Sequence, residues 1–593
     1  MESLKSRLSQ VFSESFVSLG FEERWGEVTL SDRPDLAHYQ CNGALGASKS
    51  QRKNPREVAQ AVMDAVSKLS VDRLGADALE LGIAGPGFIN IKLSDEFLAR
   101  ETDALSGDAR LGIPKVANPR TVVIDYGGPN VAKTMHVGHL RSSIIGESLM
   151  RLHRFMGDHP IGDDHLGDWG TPMGMLIISL KEKHPELPYF DPVYSGEYPV
   201  ESPVVIEDLE AMYPVAAKRF KEDPAFAAEA LKATHELQSG RRGYKSLWQH
   251  FAQTTIRDLN RDFGSLDIQF DHHLGESFYE DKMPPLVEKL KQKGITEMSE
   301  GALIIPIATE KDPETPPVIL VKSGGGFLYH TSDLATIEYR VNHFKADLVL
   351  YVVDKRQSLH FKQVFAAARK AGITGQAVLI HTGFGTMNGK DGKPFKTREG
   401  GVIKLKELIR MVNEEAKKRL RELEMDKEYT PDQLEEIAHK VGIAALKFGD
   451  LKNNRIADYV FDLERFAQFE GHTGPYLLYA AVRIKSILRK AGDLGFKPGP
   501  ILVATVPSER DLQLHLHRLP DSISRAYSGS EPHHLADYGF SLSQAFNTFY
   551  KDCHILREEN PARRASWLNL CKTTHDQLVL CLGLLGIQVP EKM

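Results

Sequence analysis

Residues 125–139 read DYGGPNVAKTMHVGH and carry the clearest structural signal in the chain. They overlap residues 121–126, TVVIDY, an apolar and β-branched run that predicts a strand buried on both faces. A loop of Gly, Pro and Asn follows, and apolar residues then recur at helical spacing from Leu140 to Phe155. The stretch is therefore predicted to form a strand, a loop and a helix.

His136 and His139 lie at the predicted start of that helix, with Gly138 directly before the second histidine. The unpaired N–H groups and positive dipole end of a helix N-terminus attract anions, and glycine lets a nucleotide approach the backbone. Imidazoles there can donate to phosphate oxygens as charge builds during an in-line displacement. The strand–loop–helix context favours this phosphate site over the alternative, in which the histidines only cap the helix.

Strand-like runs at 348–353 and 377–380 flank a helical stretch at 361–371. This alternation is expected of a parallel, doubly wound α/β sheet, so we place a catalytic domain at 118–386. Residues 187–306 are mostly helical by pattern and are predicted to be an insertion between the two halves of that sheet.

Two further regions flank this domain. Residues 1–112 read as two helices followed by short strands at 79–81 and 88–93, separated by the turn Gly85-Pro86-Gly87, which predicts a small α+β appendage. From Leu405 onward the pattern predicts helices only, with a break at 498–507.

Composition places the chain among ordinary globular proteins, with 593 residues, 41% hydrophobic and 26% charged. The net charge of −6 does not by itself predict RNA binding. The four cysteines are scattered without the spacing of a zinc site, so we expect reduced thiols and neither a structural zinc nor another resident metal. No signal or membrane-spanning segment is visible, and we expect a cytoplasmic protein.

Several separated blocks resemble the arginyl-tRNA synthetase family of bacterial type, a class I family whose HIGH signature corresponds to residues 136–139. The blocks are DYGGPNVAKTMHVGHLRSSIIGESLMRLHRFMG from Asp125, HLGDWGTPMG at 165–174, residues 328–333 and 351–363, GFGTMNGKDGKPFKTREG at 383–400, FEGHTGPYLLYAAVR at 469–483, and the terminal LGLLGIQVPEKM. The resemblance covers nearly the whole chain. It implies a Rossmann-like catalytic domain with a helical insertion and an N-terminal α+β domain that contacts the tRNA elbow. It also implies a connecting helical, KMSKS-like region at 387–468 and a C-terminal all-α anticodon-binding domain at 469–593.

The same resemblance implies an arginine–tRNA ligase. The enzyme would use ATP, with Mg²⁺, to convert L-arginine to arginyl-adenylate and would transfer it to the terminal adenosine of tRNA(Arg). In this family activation generally waits for bound tRNA, and the family default is a monomer. Two rival functions are a small-molecule nucleotidylyltransferase and a non-catalytic RNA-binding paralogue. The first would be indifferent to tRNA, and the long insertion and helical C-terminal third argue against it. The second would have damaged motifs, whereas Asp125, Asn130, Lys133, His136 and His139 are all present.

The KMSKS motif of class I synthetases is absent, a loss that many arginyl enzymes share, and Lys393-Pro394-Phe395-Lys396-Thr397-Arg398 stands in its place. By resemblance Lys133 compensates, because an ammonium is a compact charge able to reach the developing pyrophosphate. The alternative is a solvated basic loop. The catalytic candidates are therefore Lys133, His136, Gly138 and His139, and the ATP-binding candidates are His136, His139, Gly385, Lys393 and Lys396.

An arginine pocket needs carboxylates for the guanidinium and polar groups for the α-amino and carboxylate ends. By resemblance the candidates are Asp125, Asn130, Tyr329, Asp333 and Gln357. Asp333 follows Tyr329 by one helical turn, so both can face one pocket. Alternatively, Asp333 is a helix N-cap and Gln357 a surface residue.

The resemblance also implies tRNA contacts, for which the candidates are Phe88, Asn90, Tyr476, Tyr479, Tyr550 and Met593. Exposed aromatic side chains can stack on unpaired bases. Tyrosines three residues apart on a helix are as often half-buried packing residues, and a lone Phe88 would usually belong to a core.

Overall fold

The computed structural model describes residues 3–33, 35–310, 312–393, 395 and 403–593. These residues form two compact units. One unit comprises Met1–Lys115, Phe469–Gly583 and Gln588–Met593, and the other comprises Val116–Gln468 and Leu584–Ile587.

The N-terminal part of the first unit is a four-stranded antiparallel sheet covered by helices. Its elements are α1 (Leu4–Ser18), β1 (Val28–Leu30), β2 (Tyr39–Cys41), α2 (Gly43–Gln51), α3 (Pro55–Leu74), β3 (Leu79–Ala84), β4 (Phe88–Leu93) and α4 (Asp95–Ser106). The strand order is β1-β2-β4-β3. The expectation of two helices followed by strands is wrong, because three helices and two additional strands precede the β3–β4 hairpin. Strands of three residues are too short to produce a readable alternation.

The second unit is built on a parallel sheet. Its first elements are β5 (Thr121–Asp125), α5 (Val137–Met156), β6 (His159–Asp163) and α6 (Thr171–Lys183). The sheet order is β11-β10-β5-β6, with every pairing parallel. Residues 122–124 of β5 are fully buried, as a strand covered on both faces requires. The predicted strand–loop–helix and the parallel α/β sheet are confirmed.

Helices dominate the segment between β6 and β10. It contains α7 (Ile206–Glu222), α8 (Pro224–Gln238), α9 (Arg242–Ser265), α10 (Met283–Gln292), β7 (Glu297–Ser299), β8 (Ala302–Ile305), β9 (Val318–Val321) and α11 (Tyr329–Asn342). Strands β7, β8 and β9 form a small antiparallel sheet. The sheet then resumes with β10 (Leu348–Tyr351), α12 (Ser358–Ala371) and β11 (Val378–His381).

The rest of this unit is mostly helical. Its elements are β12 (Met387–Asn388), α13 (Leu405–Glu422), α14 (Pro431–Leu451), β13 (Tyr459–Val460) and α15 (Leu463–Phe466). The expectation of helices only beyond Leu405 is wrong at β13, which pairs in parallel with β12. Two residues of strand carry no periodicity from which it could be predicted.

The C-terminal part of the first unit is an all-α bundle. It comprises α16 (Gly474–Asp493), α17 (Pro507–Leu516), α18 (Leu519–Gly529), α19 (His533–Asp552) and α20 (Pro561–Leu584). The predicted break at 498–507 coincides with the connection between α16 and α17. Within the described part of the chain, no helix combines the length and apolar character needed to cross a membrane.

Candidate active site at the carboxyl edge of the parallel sheet

The carboxyl ends of three neighbouring strands bring polar side chains to one edge of the sheet. Asp125 at the end of β5 is in register with Asp163 of β6 on one side and with Tyr351 of β10 on the other. The chain leaves β6 and returns on the opposite side of β5, so the strand order reverses at this point. Parallel sheets bind ligands in the crevice that such a reversal opens.

Helix α5 begins directly beside this crevice, and both histidines of the motif cap it. His136 is the N-cap residue, and its Nδ1 accepts a hydrogen bond from the backbone N–H of Gly138 at 3.0 Å. The Nδ1 of His139 accepts from the backbone N–H of His136 at 3.2 Å. The two rings stack with centroids 3.9 Å apart. Both histidines therefore cap α5. These capping bonds also determine which nitrogen of each neutral ring carries the proton.

An imidazole that accepts through Nδ1 in its neutral form carries its proton on Nε2. Burial, followed by the charges of His136 and Lys133, lowers the pKa of His139 to about 3. Burial and the charge of Lys133 also lower the pKa of His136. Both rings are therefore neutral near pH 7, and each keeps an Nε2–H donor for an anion at the helix start.

The loop before α5 is tightly held. Ala132 has a positive φ of 64°, a conformation that costs a residue with a Cβ, and its backbone N–H donates to Thr255 Oγ1 at 3.0 Å. Lys133 follows, with its Nζ 4.7 Å from the centroid of the Tyr213 ring. Its charge acts on both histidines, so the structure brings Lys133 together with His136 and His139.

A cavity of about 250 Å³ opens at the start of α5. Its wall is formed by His136, Val137, Gly138, Arg141, Asp354, Arg356, Phe384, Gly385, Thr386, Met387 and Phe395. A Cβ on Gly385 would lie 2.5 Å from the carbonyl oxygen of Ala457, so only glycine fits there. A partly apolar cavity beside a helix start suits a base and ribose whose phosphates reach the helix.

Of the basic residues predicted to contact ATP, Lys393 is exposed and lies outside this cavity wall. Its neighbour Phe395 does line the cavity. Lys396 falls outside the described residues, as does Arg398.

Asp125 is paired with a guanidinium of the chain itself. Arg340 on α11 is fully buried, and its Nη1 lies 2.8 Å from Asp125 Oδ2 while its Nη2 donates to Asp163 Oδ2 at 2.7 Å. Burial alone would lower the pKa of Arg340, but the two carboxylates raise it well above its ordinary value. Arg340 therefore stays charged and fixes both aspartates at the strand ends. Sequence reasoning missed Arg340, because this pairing joins elements far apart in the chain.

Tyr329 begins α11 and Asp333 follows it by four residues, so both lie on the same side of the helix. Tyr329 is 70% exposed, and Asp333 is half-buried, with its Oδ2 2.6 Å from Nε2 of His360. The N-cap of α11 is Leu328, so Asp333 is not the plain helix cap that the alternative reading requires. Gln357 is exposed at the N-cap of α12 and makes no side-chain capping bond.

Asn130 is exposed in the loop after β5, where it bridges to Gly167. A Cβ on Gly167 would lie 2.1 Å from Asn130 Oδ1, so a larger residue there would displace the Asn130 side chain. The small residue at 167 therefore leaves Asn130 in its present position.

Glu276 is a further acidic residue of this region that sequence reasoning missed. It begins a 3-10 helix, Glu276–Lys282, between α9 and α10. Burial raises the pKa of Glu276 to about 7, against the charge of His165 and with added repulsion from Asp168 and Asp333. The loop that carries it has no periodic pattern, so only the three-dimensional proximity to other carboxylates identifies it.

The candidates for RNA contact lie on the first unit. On β4 the buried residues Ile89 and Ile91 alternate with Phe88 and Asn90, which are half-buried on the opposite face. Phe88 is therefore not part of the core, contrary to the alternative reading. Asn90 Oδ1 accepts a hydrogen bond from the side chain of Gln40 at 3.2 Å.

The aromatic candidates of the helical bundle differ in exposure. Tyr476 is half-buried and its hydroxyl accepts from Asn547 Nδ2 at 2.8 Å, whereas Tyr479 is 38% exposed. Tyr550 is half-buried under Arg483, whose guanidinium carbon lies 4.4 Å from the ring centroid. Met593 is half-buried at the end of the chain.

Comparison with known proteins accounts for all three regions. Residues 2–93 match the arginyl tRNA synthetase N terminal domain, residues 101–463 match the catalytic domain of tRNA synthetases class I (R), and residues 477–593 match the DALR anticodon binding domain.

Similar proteins cover the full length. The chain is 47% identical to proteins named arginine–tRNA ligase from Alkaliphilus oremlandii and Hyphomonas neptunium, with both chains of each pair covered completely. The crystal structure of arginyl-tRNA synthetase from Plasmodium falciparum superposes with a TM-score of 0.81 at 27% identity, again over 100% of each chain. The Thermus thermophilus arginyl-tRNA synthetase has the same fold, with a TM-score of 0.79. The chain therefore belongs to the arginyl-tRNA synthetase family of class I aminoacyl-tRNA synthetases.

Proposed function

We propose that the chain charges tRNA(Arg) with L-arginine in two steps. The arginine carboxylate attacks the α-phosphate of ATP, giving arginyl-adenylate and pyrophosphate, and the 2′-hydroxyl of the terminal tRNA adenosine then takes the arginyl group. The observation that carries this proposal is the start of α5, where two neutral imidazoles cap the helix through Nδ1 and keep Nε2–H donors, and where His136 lines a cavity of about 250 Å³. Positioning and charge stabilisation suffice for this chemistry, and no side chain acts as a nucleophile.

For ATP we assign the cavity beside α5 to the adenosine and the start of α5 to the phosphates. His136 and His139 donate to the α-phosphate, and the ammonium of Lys133 balances charge on the departing pyrophosphate. Lys393 and Lys396 stay candidates for the same task. Mg²⁺ would accompany ATP and would neutralise charge on its phosphates. Asp354 in the cavity wall is paired with Arg356 at 2.7 Å.

For arginine we assign the guanidinium to Asp333 and Glu276, two carboxylates whose charges repel each other in a partly buried space. A substrate cation relieves this repulsion. Tyr329 and Gln357 contribute hydrogen bonds, and Asn130 with the Arg340-bound Asp125 holds the α-amino and carboxylate ends. A neutral analogue would leave these carboxylates without a partner, so citrulline is excluded while canavanine competes.

For tRNA we assign the elbow to the outer face of β4, with Phe88 and Asn90, and the anticodon to the helical bundle, with Tyr476, Tyr479, Tyr550 and Met593. Exposed or half-exposed aromatic rings offer stacking surfaces that tolerate any base. We also propose that activation waits for bound tRNA and that the chain acts as a cytoplasmic monomer. Four buried free cysteines fit a reducing compartment.

The deciding experiment is a charging assay with ATP, Mg²⁺, tRNA and each radiolabelled amino acid in turn. We expect arginine alone to be charged. ATP–pyrophosphate exchange with arginine is measured in parallel, with and without tRNA. Full exchange without tRNA would contradict the tRNA requirement. Charging indifferent to tRNA identity would contradict the assignment of tRNA(Arg), and charging of another amino acid would contradict the assigned pocket.

A further inference from the structure

His360 links two helices, α11, which follows the small antiparallel sheet, and α12, which follows β10. It lies in the first turn of α12, and its Nε2 is 2.6 Å from Oδ2 of Asp333, four residues after the start of α11. Both side chains are partly exposed, at 27% for His360 and 21% for Asp333. The contact therefore lies at the surface of the crevice and not in the core.

The direction of this hydrogen bond follows from its partners. A carboxylate only accepts, so Nε2 of His360 donates. Burial acts to lower the pKa of His360, but the hydrogen bond and charge of Asp333 outweigh it and raise the pKa. The His330 ring lies 5.0 Å away between centroids, and burial together with the charge of His360 lowers its pKa. Asp333 is therefore the negative charge that acts on His360.

This bond limits what Asp333 can do. Its Oδ2 accepts the hydrogen bond from His360, which restrains rotation of the carboxylate. Oδ1 is then the oxygen left for another donor. Asp333 also sits in the field of Glu276 and Tyr351, and repulsion from the Glu276 carboxylate would turn an untethered side chain away. A guanidinium is planar and loses much of its binding energy when an acceptor rotates out of its plane.

We propose that His360 is a positioning residue for substrate selection, which holds the Asp333 carboxylate with Oδ1 directed at the guanidinium. The inference rests on the proposed function, in which Asp333 accepts the arginine side chain. His360 itself does not contact the reacting atoms. Its effect falls on the affinity for arginine and not on ATP or on the chemical step.

Three substitutions separate positioning from a structural role. His360→Gln places an amide N–H where Nε2 was and restores the bond to Asp333. His360→Asn offers the same amide at the position of Nδ1, too short to reach Asp333. His360→Ala removes the group altogether. The full-length variants are compared in tRNA charging, with kcat and the KM for arginine and for ATP measured separately. The comparison uses variants whose melting temperatures equal that of the parent chain.

We expect the Ala and Asn variants to raise the KM for arginine about tenfold while the KM for ATP and kcat stay within about twofold. The Gln variant returns the arginine KM to within about threefold of the parent value. Equal loss in the Gln and Ala variants, or a proportionate change in the KM for ATP, would overturn the positioning role. If the parent chain does not charge arginine, the proposed function itself fails, and that result is seen before any variant is made.

Discussion

Arg141 on α5 forms an ion pair with Asp450 on α14, with 2.9 Å between Nε and Oδ2 and both side chains almost fully buried. Its Nη1 also donates to the carbonyl oxygens of Gly385 at 2.7 Å and Ala457 at 3.1 Å. One side chain thus joins the helix that carries the histidines to the segment that lines the nucleotide cavity. Breaking such a pair leaves an unpaired charge in the interior.

We therefore expect Arg141→Met to lower the free energy of unfolding by about 3–5 kcal/mol. The paired variant Arg141→Met with Asp450→Leu should recover much of that loss, because no buried charge is left without a partner. Denaturant midpoints of the three proteins test the order. A double variant less stable than the single variant would contradict the argument.

The capping geometry of His139 allows its two nitrogens to be tested separately. His139→Asn keeps an acceptor where Nδ1 was and removes the Nε2–H donor. We expect the thermal midpoint to be unchanged and kcat to fall by about 100-fold or more, the usual cost of removing one donor to a developing charge. Near-normal charging by this variant would reduce His139 to a helix cap.

Glu276 predicts how arginine recognition depends on pH. Its pKa is raised to about 7, so the carboxylate is protonated in a growing fraction of free enzyme as pH falls below that value. Because a neutral carboxyl pairs poorly with a guanidinium, the KM for arginine should rise by up to about tenfold for each pH unit below 7. The KM for ATP serves as the internal control.

In Glu276→Gln we expect the KM for arginine to be raised at pH 8 and to lose its dependence on pH near pH 7. Steady-state charging from pH 6 to pH 8.5 measures both. A slope that persists in this variant assigns the titration to another group.

Gly167 tests the approach of Asn130. In Gly167→Ala the new Cβ would lie 2.1 Å from Asn130 Oδ1 and must displace it. We expect a higher KM for arginine with little loss of stability. Gly264→Ala is the matched control, since a Cβ there meets nothing within 4 Å. Equal behaviour of the two variants would remove Asn130 from the pocket.

The part of the site that could be predicted from sequence is local. Apolar and β-branched residues before Asp125, and a helix-spaced run after His139, are sufficient to predict strand, loop and helix. The pairing of Arg340 with Asp125 and Asp163 joins α11 to two strands and leaves no trace in local spacing. Glu276 lies in a loop without period, and its relevance comes from neighbours brought close by the fold.

The same physical limit explains the errors in the fold. Strands β1, β2 and β13 contain two or three residues each, so no alternation could be read from them. From the sequence, helix capping by His136 and His139 is an alternative to phosphate binding. The structure shows that the cap is formed, and it also leaves the second nitrogen of each ring available.

Each histidine caps the first turn of α5 through Nδ1 and offers Nε2–H to the substrate. The two donors therefore keep their positions only while this turn is folded. Fraying of that turn would remove both donors at once, long before the surrounding sheet opens. Loss of activity in mild denaturant should therefore precede the loss of circular dichroism signal, and the separation between the two curves would report the local stability of one helical turn.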